Sequence, residues 1–307
     1  MTSRRGLAAL IATVAIVAIL AACDGAPTLP PAATPVSETH EPVAPFIAAL
    51  TAAAPRGKAQ SPATTTVMVV TASPKRWKPP ARASWQWQLS GKLNVAVSAK
   101  VFDVDLFDTS TAQVKQLHAK GRKVICYFSA GSYESGRPDS KSFPAAVKGN
   151  KMDGWPEYWL DIRDPRVLKL MTARLDLCKK KGFDGVEPDN VDAYQNDSGF
   201  ALTAKDQRTF NQTIARLAHH RGLAVGLKND LDQVTSLQPW FDFAVNEQCF
   251  EYDECSMLSP FIKAGKPVFH VEYDVPLATF CPKTRALGFS SMLKTWDLDV
   301  TRRACPA

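Results

Sequence analysis

Five times along this chain a helix-like run stops at a glycine and an apolar, strand-like run follows almost at once. The glycines are Gly121 (leading to Lys-Val-Ile-Cys-Tyr-Phe), Gly182 (Phe-Asp-Gly-Val), Gly222 (Leu-Ala-Val-Gly-Leu), Gly265 (Lys-Pro-Val-Phe-His-Val) and Gly288 (Phe-Ser-Ser-Met-Leu). Glycine suits the left-handed residue just past a helix end, because it has no Cβ to clash there. Successive strands separated by helices cannot be hairpins. They pair in parallel, with the helices as crossovers.

The remaining strands fill out the count. Ser84 to Ser90 and Lys100 to Phe107 alternate apolar and polar residues and read as strands one and two. Ser110 and Gln113 are spaced as a capping box for a helix to Lys120. Strand three is Lys123 to Ser129, followed by a long loop from Ser135 to Trp159. Asp164-Pro165 is a helix start, with an N-cap and then proline in the first turn, and that helix runs to Lys181. Strand four is Phe183 to Val186, and Thr203 caps the next helix, to His220. Strand five ends at Lys228-Asn-Asp230, six runs from Phe241 to Val245, seven from Val268 to Glu272, and eight from Phe289 to Lys294. Eight strands alternating with helices predict an α/β fold, a (β/α)8 TIM barrel, as a single domain over residues 77–307. An open doubly wound sheet is the alternative, but its glycine-rich phosphate turn is missing.

In such a barrel, function collects at the C-terminal strand ends. Those ends carry Asp105, Ser129, Tyr133, Glu187, Asp189, Asn229, Asp230, Glu247, Glu272 and Asp297, whereas the N-terminal ends read as bland. Trp85, Trp87, Tyr127, Tyr133, Trp155, Tyr273 and Trp296 edge the same rim, with Trp85 or Trp87 expected in the core. Carboxylates among aromatics suit a carbohydrate cleft: rings stack on sugar faces, and two acids act on the glycosidic bond.

Five blocks then resemble a known family. They are Tyr127-Phe-Ser-Ala-Gly-Ser-Tyr-Glu134, Trp159-Leu-Asp-Ile-Arg163, Gly182-Phe-Asp-Gly-Val-Glu-Pro-Asp-Asn-Val-Asp192, Gly226-Leu-Lys-Asn-Asp230 and Asn246-Glu-Gln-Cys-Phe250. Together they resemble glycoside hydrolase family 114, the endo-α-1,4-polygalactosaminidases, over about Trp85 to Cys305. The resemblance implies a barrel that hydrolyses α-1,4-linked galactosamine polymers. It places the family's Asp after strand four on Asp189 and its Glu after strand six on Glu247.

The residue chemistry agrees with that assignment. Glu247 follows apolar Phe243 and Val245 and suits the proton donor; Asp189, beside Asn190, suits the ionised nucleophile. Alternatively, Asp189 caps the loop to Val191 and Glu247 pairs with Lys228, and Glu187 is then the next acid to consider. Asp161, Arg163, Lys228 and Asp230 read as orienting or substrate-contacting groups. Asp105, Asp192, Asp230 and Glu272 are placed to meet a cationic sugar. No cofactor is expected, and with few histidines and no Cys-x-x-Cys no metal either. A polysaccharide-binding protein that does not cleave shares every one of these features except the working acid pair.

The N-terminus predicts export. Arg4 and Arg5 precede an apolar run from Leu7 to Ala22, ending Leu20-Ala-Ala-Cys23. This resembles a bacterial lipobox and implies cleavage after residue 22 and lipidation of Cys23, at the outer surface of a bacterial membrane. Losing Arg4 and Arg5 takes the net charge from +7 to +5. The basic residues are scattered, with no basic-aromatic stripe for nucleic acid. Residues 23–76, rich in Ala, Pro, Thr and Ser, read as a flexible tether. A monomer is expected. Of the other six cysteines, Cys249 and Cys255 can staple one loop, and Cys281 and Cys305 flank the last helix and strand. Cys126 and Cys178 read as buried thiols, with a cross-link open.

Overall fold

A computed structural model describes residues 75–306; the predicted leader, Cys23 and nearly all of the tether lie outside the described residues. The strands are β1 (Trp85–Gln88), β2 (Val101–Asp105), β3 (Lys123–Ser129), β4 (Ser132–Glu134), β5 (Lys148–Lys151), β6 (Glu157–Leu160), β7 (Gly185–Asp189), β8 (Ala224–Lys228), β9 (Phe243–Glu247), β10 (Val268–Glu272), β11 (Ser290–Leu293) and β12 (Arg303–Ala304). The helices are α1 (Thr111–Ala119), α2 (Pro165–Lys181), α3 (Ala204–His220), α4 (Val234–Leu237), α5 (Ser259–Lys263) and α6 (Leu277–Ala286).

Eight strands form a parallel run in the order β1-β2-β3-β7-β8-β9-β10-β11, and β12 adds antiparallel to β11. The sheet curls onto itself. Inward residues of strands far apart in this order meet: Trp85 of β1 lies 5.0 Å from Phe269 of β10, which meets Phe243 of β9 at 5.6 Å. The seam between β1 and β11 has no strand ladder. It is closed by the Trp85 indole donating to the Ser290 carbonyl at 2.8 Å, and by Leu89 N donating to the Leu298 carbonyl at 2.9 Å. The fold is the expected α/β barrel.

Local sequence explains the helices. Ser110 and Thr203 make full capping boxes with Gln113 and Asp206, and Asp164 caps Arg166 N just ahead of Pro165. All five punctuating glycines take positive φ, from 70° at Gly121 to 92° at Gly182. Inside the barrel, Gly226 is there for space: a Cβ would lie 2.3 Å from the Phe243 ring.

Three features depart from the sequence reading. The loop after β3 folds into a small antiparallel sheet, β4-β6-β5, with Tyr133 opposite Tyr158. Alternation between strand and helix is imperfect, since β1 and β2 are joined by turns. Cys126 and Cys178 are disulfide-bonded, because Cys126 points outward from β3 onto α2 and their Cα atoms are 6.0 Å apart. Cys249–Cys255 and Cys281–Cys305 are bonded as expected, with Cα separations of 4.7 and 5.4 Å.

Candidate active site

Period-two alternation turns Gly185, Glu187 and Asp189 of β7 toward the barrel interior, together with Ala224, Gly226 and Lys228 of β8. Lys228 is buried, and its ammonium lies 2.9 Å from Asp189 Oδ1, 2.9 Å from Glu247 Oε2 and 3.7 Å from Glu187 Oε1. One cation thus gathers acids from strands four and six of the barrel. The Trp87 ring lies beneath it, 4.8 Å from Nζ.

Asp189 and Glu247 are each held at the other oxygen by a phenol. Tyr127 donates to Asp189 Oδ2 at 2.8 Å, and Tyr273 donates to Glu247 Oε1. Trp296 stacks on Tyr273 with ring centres 4.1 Å apart. Asn190 N also donates to Asp189 Oδ1, and Asn229 Oδ1 accepts from Glu247 N. The backbone turns sharply right after each of the three charged residues. Asn190, Asn229 and Gln248 have φ of 58°, 44° and 60°, a left-handed conformation that Asn tolerates best among residues with a Cβ.

Burial pushes the Asp189 carboxyl up, but the Lys228 charge and the bonds from Lys228, Tyr127 and Asn190 outweigh it and hold Asp189 below its usual range. Burial opposes the charge on Lys228, yet Asp189, Glu247 and Glu187 together raise it well above an ordinary lysine. Burial, with Asp189 nearby, lifts Asp192 to about 6.

Above this floor lies a cleft of about 700 Å³. Of the predicted residues, Tyr127, Trp155, Asp189, Asn190, Asp192, Lys228, Glu247 and Trp296 line it. Trp155 and Trp296 are each half exposed at its mouth. The β4-β6-β5 sheet supplies Glu134 and Glu157, and the loop beyond β4 adds Arg137. Glu157 is lifted to about 7, chiefly by burial. The sequence reading passed over these three; their signal was present in the Glu134 that closes the first family block.

Other predicted residues are not in the cleft wall. Asp105 is bound by Arg137 at 2.8 Å and by the backbone N of Phe107 and Asp108. Asp161 and Arg163 pair with each other on the surface. Ser129 bonds Ser132 and Asn190 beneath the wall, and Tyr133 lies against Phe143 with Lys148 over its ring. Asp230 accepts from Asn211 at 2.9 Å and is lifted to about 8 by burial and the Asp192 charge. Glu272 accepts from His270 and Phe250 N, tying down the Cys249–Cys255 loop. Of the four acids expected to meet a cationic sugar, only Asp192 faces the cleft. Glu187 is wholly buried below the floor, where it meets Asp103, an acid the sequence reading did not single out. An acid at an inward position of strand two, between apolar neighbours, was the available sign.

The chain resembles several known proteins. The crystal structure of Aspergillus fumigatus Ega3 in complex with galactosamine is 39% identical, with a TM-score of 0.72, covering 75% of this chain and 98% of that one. The glycoside hydrolase domain of PelA from Pseudomonas aeruginosa shares the fold, with 16% identity, a TM-score of 0.58 and coverage of 71% and 97%. An uncharacterized protein of Deinococcus radiodurans is 29% identical over 290 residues, 79% of this chain and 90% of its own length. The model of glycoside-hydrolase family GH114 matches residues 66–307, and this chain belongs to that family.

Proposed function

We propose that the chain is an endo-acting hydrolase of α-1,4-linked galactosamine polymers that works with retention, Asp189 as nucleophile and Glu247 as acid and base. The observation that carries this reading is the shared lysine. With both acids 2.9 Å from Lys228 Nζ, the two contacting oxygens are no further apart than twice that distance, about 5.8 Å. Retaining pairs stand about 5 to 5.5 Å apart, and inverting pairs need about 6.5 Å or more to admit a water. For these two oxygens the limit stops short of the inverting range, which supports retention.

In the first step Glu247, having taken up a proton in place of its bond from Lys228, gives it to the leaving oxygen as Asp189 attacks the anomeric carbon and the glycosidic C–O bond breaks. In the second, Glu247 takes a proton from the water that attacks that carbon, and Asp189 leaves as carboxylate. An unacetylated amine offers no acetamide oxygen, so a side chain must supply the nucleophile. The depressed Asp189 supplies it in the ionised form. A cationic polymer also suits the walls, where six carboxyl groups face two cations, Arg137 and Lys228.

Three disulfides support an oxidising compartment, and Leu20-Ala-Ala-Cys23 supports an envelope lipid anchor. The native N-terminus should carry a lipidated Cys23 by mass spectrometry. The deciding experiment incubates residues 75–307 with α-1,4-galactosamine polymer and follows oligosaccharide release. Mixed short oligomers are expected from an endo-enzyme. Binding with no cleavage would favour a polysaccharide-binding protein instead.

A further inference from the structure

Two acids directly below the catalytic floor take no part in the steps above. Asp103 of β2 and Glu187 of β7 are both wholly buried. Among the described residues no donor reaches any of their four carboxyl oxygens within hydrogen-bond distance. Each acid is the other's electrostatic neighbour, on strands that flank β3. Two neighbouring buried carboxyls without donors cannot both stay ionised, so at least one of the pair keeps its proton. The titratable and charged groups around this pair are Asp189 on β7, Lys228 on β8 and Tyr273 on β10, with Tyr127 of β3 beside Glu187 in the ladder.

Among these, Lys228 is the one cation, and its place decides the site. It is 2.9 Å from each catalytic acid but 3.7 Å from Glu187. An ionised, donor-free Glu187 at this buried position would draw the ammonium away from Asp189 and Glu247. We propose that Asp103 and Glu187 are positioning residues, joined by a retained proton that keeps Glu187 from competing with Asp189 and Glu247 for Lys228. Burial supports this by raising Asp103 to about 7 and Glu187 well above its usual range. The proposal rests on the hydrolase reading for its activity arm only.

The test is a pair of variants. In Asp103→Asn the side-chain amide donates to Glu187 and frees it to ionise. The rate on galactosamine polymer should stay within about fivefold of wild type at acid pH and fall about a hundredfold as pH rises through the Glu187 ionisation. Adding Glu187→Gln removes the charge, and the double variant, whose two amides can bond each other, should regain most of the rate and lose the alkaline limb. A double variant that folds, by its thermal melt, but stays as slow as the single one would overturn the proposal. So would Asp103→Asn at wild-type rate at all pH values. If the single variant does not fold, the rate of the double variant decides alone. Infrared difference spectra of wild type against the double variant give a readout free of substrate. A protonated-carboxyl stretch should persist in wild type at mildly alkaline pH, and its absence would sink the shared proton even if the polymer proves the wrong substrate.

Discussion

The two ends of the barrel treat their acids in opposite ways. At the N-terminal end, Asp184 and Asp242 sit one residue before β7 and β9, and each is supplied with several donors. Asp184 takes Val124 N at 2.9 Å, Lys123 at 2.6 Å and His118 from the last turn of α1 at 2.7 Å. Asp242 takes Val225 N at 3.0 Å, Arg76 at 3.0 Å and His219 from the last turn of α3 at 2.9 Å. The same device appears twice, stitching a helix end and two neighbouring strands. At the C-terminal end Asp189 also takes three donors, but its cation is shared, and Asp189, Glu247 and Glu187 crowd around one lysine. Acids with a cation of their own hold the fold; the acids that share one cation at the cleft are placed to react. The N-terminal end, which reads as bland in sequence, is therefore charged but neutralised locally.

Substitutions can break that contrast. The largest effect belongs to the catalytic pair: Asp189→Asn and Glu247→Gln should each lower the hydrolysis rate a thousandfold or more, roughly, because the two acids act as a unit. Their thermal melts should stay close to wild type, and a near-normal rate in either would remove that residue from the chemistry. Next comes Lys228→Met. Without the ammonium the Asp189 carboxyl rises, so activity that depends on its ionised form should disappear at higher pH as the solution is acidified. The acid limb of kcat/KM should move up in pH, and the rate at neutrality should fall about a hundredfold. An unmoved limb would mean that Lys228 does not set the charge of Asp189.

Asp242→Asn should do the reverse, sparing the rate and costing stability, about 1 to 3 kcal/mol for the bonds it weakens. Burial raises Asp242, but His219, Arg76 and Val225 N outweigh that and leave it below its usual range. Its stabilisation is thus complete above the pKa of an unfolded aspartate and is lost as pH falls through the depressed folded value. Urea unfolding of the variant should show a weaker loss of stability on acidification than wild type. The smallest effect is expected at Trp155, half exposed on the wall. Trp155→Ala should raise KM for polymer roughly two- to tenfold with kcat unchanged, as befits a lost stacking platform. A fall in kcat instead would place Trp155 in the reaction.

The barrel was legible in sequence because its grammar is local. A glycine at a helix end, a capping box and period-two alternation depend on residues a few positions apart, and all five glycines took the conformation that this grammar requires. The working acids were legible for the same reason: Asp189, Lys228 and Glu247 each end a strand. What a strand end does not reveal is its partner. Asp105, Asp230 and Glu272 stand at similar ends, yet Arg137 and Asn211 from distant segments occupy the first two, and His270, two residues back on the same strand, occupies the third. Only closure of the sheet decided which acids were satisfied and which were left to share Lys228. It also set Asp103 against Glu187, 84 positions away in the chain and on strands with β3 between them. Hydrogen bonds and charge act through space, and in this protein the distances that matter exist only once the first and eighth strands have met.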